Sequence, residues 1–419
     1  MLKFYFFAFL LIAGRGAYSQ ASAGPKKAAG KSLATGTWRA SLLRAEGHPI
    51  VFNFELAYEK EQPVIYILNA SERLEVRNIR RKGDSVWIDL PFFESAFFLQ
   101  LQKDGTLKGD WRKGTTKDIS VMPFVAVPHQ QDRFSAGAAP VAQLSGKWAM
   151  TILRPDGSAR PAIAQFEQKG AKLTGTILAP SGDYRYLDGI VRGDSLFLST
   201  FDGSHAYVFT ARIHSTDSID GGRFYAGPTH LEKFSASRNE QAVLPLDGIG
   251  VYLKPDAPRL NFRFPDLEGR MVGITDERFR NKVVVIQLMG SWCPNCMDET
   301  NFLSAYYKKH KARGLEVVSL AYEYSTDSSR YMKSLRKFQQ RFQVTYPMLI
   351  TGVTSSDSLR TEKTLPQLTP IKVFPSTVFV GKDGQIKKVH SGFFGPATGE
   401  AYTNYVAEFE ATINQLLAE

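Results

Sequence analysis

Two tandem all-β antiparallel modules, each a barrel or a sandwich, followed by an α/β domain: three observations in the sequence predict this multidomain fold class. From Thr35 onward short apolar runs alternate with turn residues, and four motifs in that stretch recur at one constant offset. At about Gly248 the pattern changes to strands alternating with helices. The chain has 419 residues, 43% hydrophobic and 22% charged, which is long enough for several cores and excludes wholesale disorder and a polytopic membrane protein.

The N-terminus has the pattern of an export signal, residues 1–19: Lys3, an apolar run at 4–13, then small residues with Ala17-Tyr18-Ser19 before Gln20. The apolar run of ten residues is too short to span a bilayer. Residues 20–34, rich in Gly, Ala, Lys and Ser, hold too little apolar material to pack and are expected to form a flexible leader. Gly24 to Ser32 imitates a phosphate loop but is one residue too long and follows no strand, so phosphate binding is rejected.

Module 1 is placed at 35–128, with strands expected at 38–44, 51–58, 64–68, 74–79, 86–90 and 97–101. Its grammar then returns. Gly36-Thr37-Trp38 is matched by Gly146-Lys147-Trp148, Leu43-Arg44 by Leu153-Arg154, Ile67-Leu68 by Ile177-Leu178, and Gly83-Asp84-Ser85 by Gly193-Asp194-Ser195, each pair 110 residues apart. Module 2 is therefore placed at 145–237, with linkers at 129–144 and 238–249. The Gly-x-Trp entry into a strand meander resembles lipocalin-like barrels, which implies either an enclosed ligand or a structural, partner-docking role.

The last domain is placed at 250–419. A continuous apolar run at 283–288 suits a buried central strand, and a helix is expected over 294–310. A strand at 315–322, an amphipathic helix at 327–342 and a short strand at 346–350 follow. Strands at 376–380 and 386–390 flank the turn Gly381-Lys382-Asp383-Gly384, and a final helix covers 399–417, with Thr398 or Ser391 as its cap.

Lysine plus arginine total 52 against 41 acids, a net charge of +11, but the cations are spread and interleaved with acids. Without a basic stripe or a recognition motif, nucleic-acid binding is excluded as a function class. The chain has two cysteines, Cys293 and Cys296, and its seven histidines are scattered. A structural zinc site needs two more ligands than the pair offers, so no metal is expected.

Those cysteines lie in Ser291-Trp292-Cys293-Pro294-Asn295-Cys296, directly after the buried strand and at the start of a helix. Unpaired amides and the positive helix end stabilise a thiolate at the first cysteine, which makes Cys293 the expected nucleophile. Cys296, one turn further on and more shielded, is expected to resolve the mixed disulfide and to form a redox-active disulfide with Cys293.

This motif, the strand before it and Phe374-Pro375-Ser376-Thr377 before the hairpin resemble the thioredoxin superfamily, most closely its exported TlpA/ResA-like thiol–disulfide oxidoreductases. The resemblance covers about residues 250–419 and implies a thioredoxin-like fold there. It implies that Pro375 is a cis-proline facing the cysteines, and that Trp292, Pro294, Phe374 and Pro375 bind substrate. Glu299, one helical turn beyond Cys296, resembles the acidic residue that assists proton transfer in ResA-like reductases, with a solvated surface glutamate as the plainer reading. Thioredoxin carries a buried aspartate six residues before its first cysteine; this chain has Gln287, which leaves water or Glu299 to move protons.

The function implied is reduction of protein disulfides in the periplasm or cell envelope, without a cofactor, with electrons from a membrane-bound donor. Two alternatives stand beside it: a redoxin-type thiol peroxidase, and a cell-envelope binding protein whose β modules dominate. Against the peroxidase, Cys293 follows Gly290-Ser291-Trp292 rather than the Pro-x-x-x-Thr-x-x-Cys loop typical of peroxidatic cysteines.

Overall fold

The computed structural model describes residues 32–91, 93–245, 250–255, 257 and 259–419. The expected export signal and nearly all of the leader lie outside the described residues. Residues Leu33–Glu419 form one unit.

Both β modules are barrels. Each sheet has nine antiparallel strands among the described residues. In the first, the chain meanders and its first strand, Gly36–Leu42, pairs with its last, Ile119–Pro128, as well as with Ile50–Glu59. One slit remains. The single strand expected at 74–79 is in fact two, Glu72–Val76 and Asn78–Lys82, which do not pair with each other. Leu74 and Val76 face inward, but the next apolar residue is Ile79, out of phase with the two-residue alternation, so the strand breaks at Arg77.

The second barrel closes completely. Gly146–Leu153 pairs with both Ala159–Lys169 and His230–Arg238, and Lys172–Ala179 pairs with both Ala159–Lys169 and Leu187–Arg192. The 110-residue offset is physical: Trp38 Nε1 donates to Ala34 O at 2.9 Å, and Trp148 Nε1 donates to Leu144 O at 2.9 Å. Both indoles are fully buried. Side chains fill both interiors, with Phe52, Phe97 and Phe124 in the first and Phe209, Phe224 and Phe234 in the second.

Arg133 stitches the barrels together. Its buried guanidinium donates to Ser199 O at 3.0 Å and to Leu68 O, while the Phe52 and Phe201 rings stack at 4.3 Å.

The C-terminal domain is a five-stranded sheet among the described residues, in spatial order Met348–Ile350, Leu315–Ala321, Val283–Met289, Ser376–Val380, Ile386–Ser391. The first three run parallel, Ser376–Val380 runs antiparallel to them, and the edge strand Ile386–Ser391 reverses again by pairing antiparallel with Ser376–Val380. All seven residues of Val283–Met289 are buried because both sheet faces are covered. Val283 and Val285 pack with the helices α1 (Pro294–His310), α2 (Ser328–Arg341) and α4 (Glu400–Ala418). Val284 and Ile286 pack with the opposite layer, around Leu365, Leu368 and Ile371, next to the short α3 (Arg360–Thr364).

Local expectations shift where capping intervenes. Asp327, expected inside a helix, is the N-cap of α2 and accepts from Ser329 N at 2.8 Å. Neither Thr398 nor Ser391 caps α4: Gly399, at φ 57°, occupies that position, and the Thr398 hydroxyl donates backward to Gly395 O at 2.8 Å. The strand expected from residue 346 begins at Met348.

Candidate active site

The buried strand Val283–Met289 delivers the chain to a turn at Gly290–Trp292, and Pro294 at the first helical position starts α1. Cys293 is thereby the N-cap, and its Sγ accepts from Cys296 N at 3.3 Å. The same Sγ lies 3.6 Å from Phe374 O. The Phe374–Pro375 peptide bond is cis. Both cysteines are free thiols. Burial pushes the Cys296 thiol well up, and the adjoining Cys293 sulfur adds to the rise.

An aromatic cluster holds the turn. Trp292 Nε1 donates to Tyr322 O at 2.8 Å; its ring stacks on Tyr324 at 4.8 Å and meets the edge of Phe374 at 5.9 Å. Trp292, Pro294, Phe374 and Pro375 are therefore gathered around Cys293. Beneath them Glu323 accepts from Ser291 N at 2.8 Å and Ser291 Oγ at 2.6 Å, and burial pushes its carboxyl up to about 7.

Glu299 is not a solvated surface residue; it is completely buried. Gln287 Nε2 donates to its Oε2 at 2.8 Å, and Thr377 Oγ1 and Tyr405 OH donate to its Oε1 at 2.6 and 3.0 Å. Burial raises the carboxyl and these three donors pull it back. Gln287 Oε1 in turn accepts from Thr300 and Ser319 at 3.1 Å each, which fixes which way the amide faces. Among the described residues no group of three or more His, Cys, Asp or Glu is arranged to hold a metal ion.

The comparisons with known proteins agree with this geometry. The family model described as Redoxin matches residues 254–405. The C-terminal domain is similar to thioredoxin-superfamily proteins.

The redoxin domain is 25% identical over 126 residues to the thiol-disulfide oxidoreductase ResA of Bacillus thuringiensis, covering 30% of this chain and 63% of that protein. It is 23% identical over 157 residues to ResA of Bacillus subtilis, covering 38% of this chain and 77% of that protein. The chain thus spans less than two thirds of the first of these relatives. A thiol:disulfide interchange protein from Chlorobium tepidum aligns at 15% identity and TM-score 0.29, over 38% of this chain and 96% of that one.

Residue patterns near the cysteines missed the second barrel's share of the site. A cleft of about 210 Å³ runs between the two, lined by Asp183, Arg185, Asp202, His205 and Tyr207 on the barrel side and by Cys293 and Phe374 on the other. Burial raises Asp183, whereas Asp202, which burial alone would raise, is brought down to about 2 by His205 and Arg185. A signal for this was present. Residues 182–186, Gly-Asp-Tyr-Arg-Tyr, stand 110 beyond 72–76, Glu-Arg-Leu-Glu-Val, and break the repeat. In the first barrel that stretch is the strand Glu72–Val76; in the second it is an arm reaching toward α1.

Proposed function

We propose that this chain is an exported thiol–disulfide oxidoreductase that reduces protein disulfides through Cys293 and Cys296. The observation that carries the reading is the Cys293 sulfur at the tip of α1, hydrogen-bonded by Cys296 N and facing the Phe374 carbonyl.

The thiolate of Cys293 attacks one substrate sulfur. The substrate S–S bond breaks, and the departing thiolate takes a proton from solvent. The Cys296 thiol then gives up its proton and attacks the Cys293 sulfur. The second substrate thiolate leaves and is protonated, and a Cys293–Cys296 disulfide remains. The substrate gains two electrons, which a membrane-bound dithiol donor restores to the protein. Glu299, one turn beyond Cys296 and held by Gln287, Thr377 and Tyr405, is the buried carboxyl assigned to the proton that Cys296 releases. Trp292, Pro294, Phe374 and Pro375 position the incoming chain. Lys3 and the apolar run after it support export. No helix among the described residues is long and apolar enough to cross a membrane.

Trapping tests the reading. Incubated with envelope extracts, Cys296→Ser is expected to accumulate mixed disulfides that dithiothreitol releases, and Cys293→Ser/Cys296→Ser to accumulate none. Adducts in neither protein would refute the assigned order of attack.

A further inference from the structure

The face through which a disulfide must reach Cys293 is not open. The arm of the second barrel, residues 180–185, lies across it. Asn295 Nδ2 donates to Asp183 Oδ1 at 3.2 Å and to Phe393 O at 2.9 Å, and Gly395 N donates to the same Asp183 oxygen at 2.7 Å. Ser204 Oγ donates to Trp292 O at 3.2 Å. Arg185, 5% exposed along its side chain, bridges Asp298 on α1 and Glu72 of the first barrel, so all three domains meet at one guanidinium.

The fit leaves no slack. A Cβ added at Gly182 would lie 2.3 Å from Asn295 Nδ2 and 2.9 Å from Phe393 O. Cys293 retains 5% of its surface. What remains is the cleft of about 210 Å³, smaller than the ~300–1,000 Å³ of ordinary ligand pockets. Its walls carry both signs of charge, with Arg160 and Arg185 against Asp183 and Asp202. Such a lining suits the alternating N–H and C=O groups of a bare backbone better than an apolar ligand.

We infer that the second barrel sets the substrate class of the redox site: Cys293 takes disulfides carried on unfolded, extended chain and rejects those set in a folded domain. This rests on the thiol–disulfide reading above. An extended strand is slender, ~4.7–4.9 Å in the hydrogen-bonding direction and ~10 Å across its side chains, far less than a folded domain. A folded domain would have to displace the arm and break its bonds to Asn295, Gly395 and Asp298.

The test uses the full chain and one disulfide in two settings: insulin, and a disulfide-linked peptide pair cut from it. Rates are normalised to those of dithiothreitol on the same probes. Wild type is expected to favour the peptide pair by at least about tenfold in kcat/KM. Gly182→Val, which wedges the arm off α1, is expected to shrink that preference to about threefold or less. No preference in wild type, or an undiminished one in a folded wedge variant, overturns the inference.

Alkylation supplies a readout that needs neither turnover nor the wedge. In Cys296→Ser, iodoacetamide is expected to modify Cys293 at least about tenfold faster than a maleimide bearing a long polyethylene glycol chain, after each rate is normalised to free glutathione. Equal normalised rates overturn the inference. Size-selective alkylation with no reduction of either probe would instead sink the thiol–disulfide reading and leave the covering arm in place.

Discussion

Gln287 Nε2 donates to Glu299 Oε2 at 2.8 Å, with both side chains fully buried. The central strand thus contributes an amide behind the cysteines, and the carboxyl comes from α1 instead. Burial raises that carboxyl above its ordinary value, so the folded protein keeps the proton to higher pH than the unfolded chain. Its contribution to stability therefore falls as pH climbs past the usual carboxylate range. Glu299→Gln is expected to fold, to be no less stable at pH 8, and to turn over about tenfold to a hundredfold more slowly with a flattened pH–rate profile. Stopped-flow reduction of a peptide disulfide across pH 5–9 checks it; an unaltered profile would assign Glu299 to packing.

Glu323 makes a separate prediction. Burial raises it to about 7, opposed by the Ser291 amide and hydroxyl. Because the folded form binds the proton more tightly than the unfolded form, stability is lost as pH rises through the interval between the ordinary carboxylate value and 7. Above pH 7 the cost is on the order of 1–3 kcal/mol. Glu323→Gln is expected to remove that slope: little change from wild type at pH 5, and a higher urea midpoint at pH 8.

Arg185 is the cation shared by the buried carboxylates of Asp298 and Glu72, the second of which also accepts from Asn69 Nδ2 at 3.0 Å. Burial pushes Asp298 up to about 6 even with the guanidinium beside it pulling down. Arg185→Met should cost about 3–5 kcal/mol in urea unfolding at pH 7, since it removes the cation that two buried carboxylates share. Adding Asp298→Asn should recover part of that loss, and a double-mutant cycle with no coupling would contradict the bridge.

The duplicated tryptophans predict matched losses. Trp38→Phe and Trp148→Phe each remove a buried indole donor and leave a carbonyl, Ala34 O or Leu144 O, without it. Each is expected to cost about 1–3 kcal/mol, read as a shift in the denaturant midpoint. Unequal losses would show that the repeats, though alike in sequence, are supported differently.

Much of the fold was legible because its signals are local. The buried strand beginning at Val283, the Pro294 helix start and the Gly-x-Trp repeats each report the environment of a few neighbouring residues. The break at Arg77 was less visible, since it depends on a change of phase between Val76 and Ile79 that composition does not show. Glu299 was found by spacing while its environment stayed open between a pocket carboxyl and a solvated one: three residues past Cys296 puts it on the right face of α1, yet burial depends on Thr377 and Tyr405, which are 78 and 106 residues away.

By itself the sequence determined the order of domains, the duplication and the pair of sulfurs at a helix start, because turn chemistry, residue period and helix-end electrostatics act over a few residues. Only the tertiary structure decided that both modules are barrels, that the carboxyl near the cysteines is sealed from water, and that the second barrel covers Cys293. Those outcomes rest on contacts such as Asp183 with Gly395 and Arg185 with Asp298, between segments more than a hundred residues apart. Such pairs join segments remote in sequence, and a local pattern can mark an irregular stretch such as 182–186 without saying which surface it will meet.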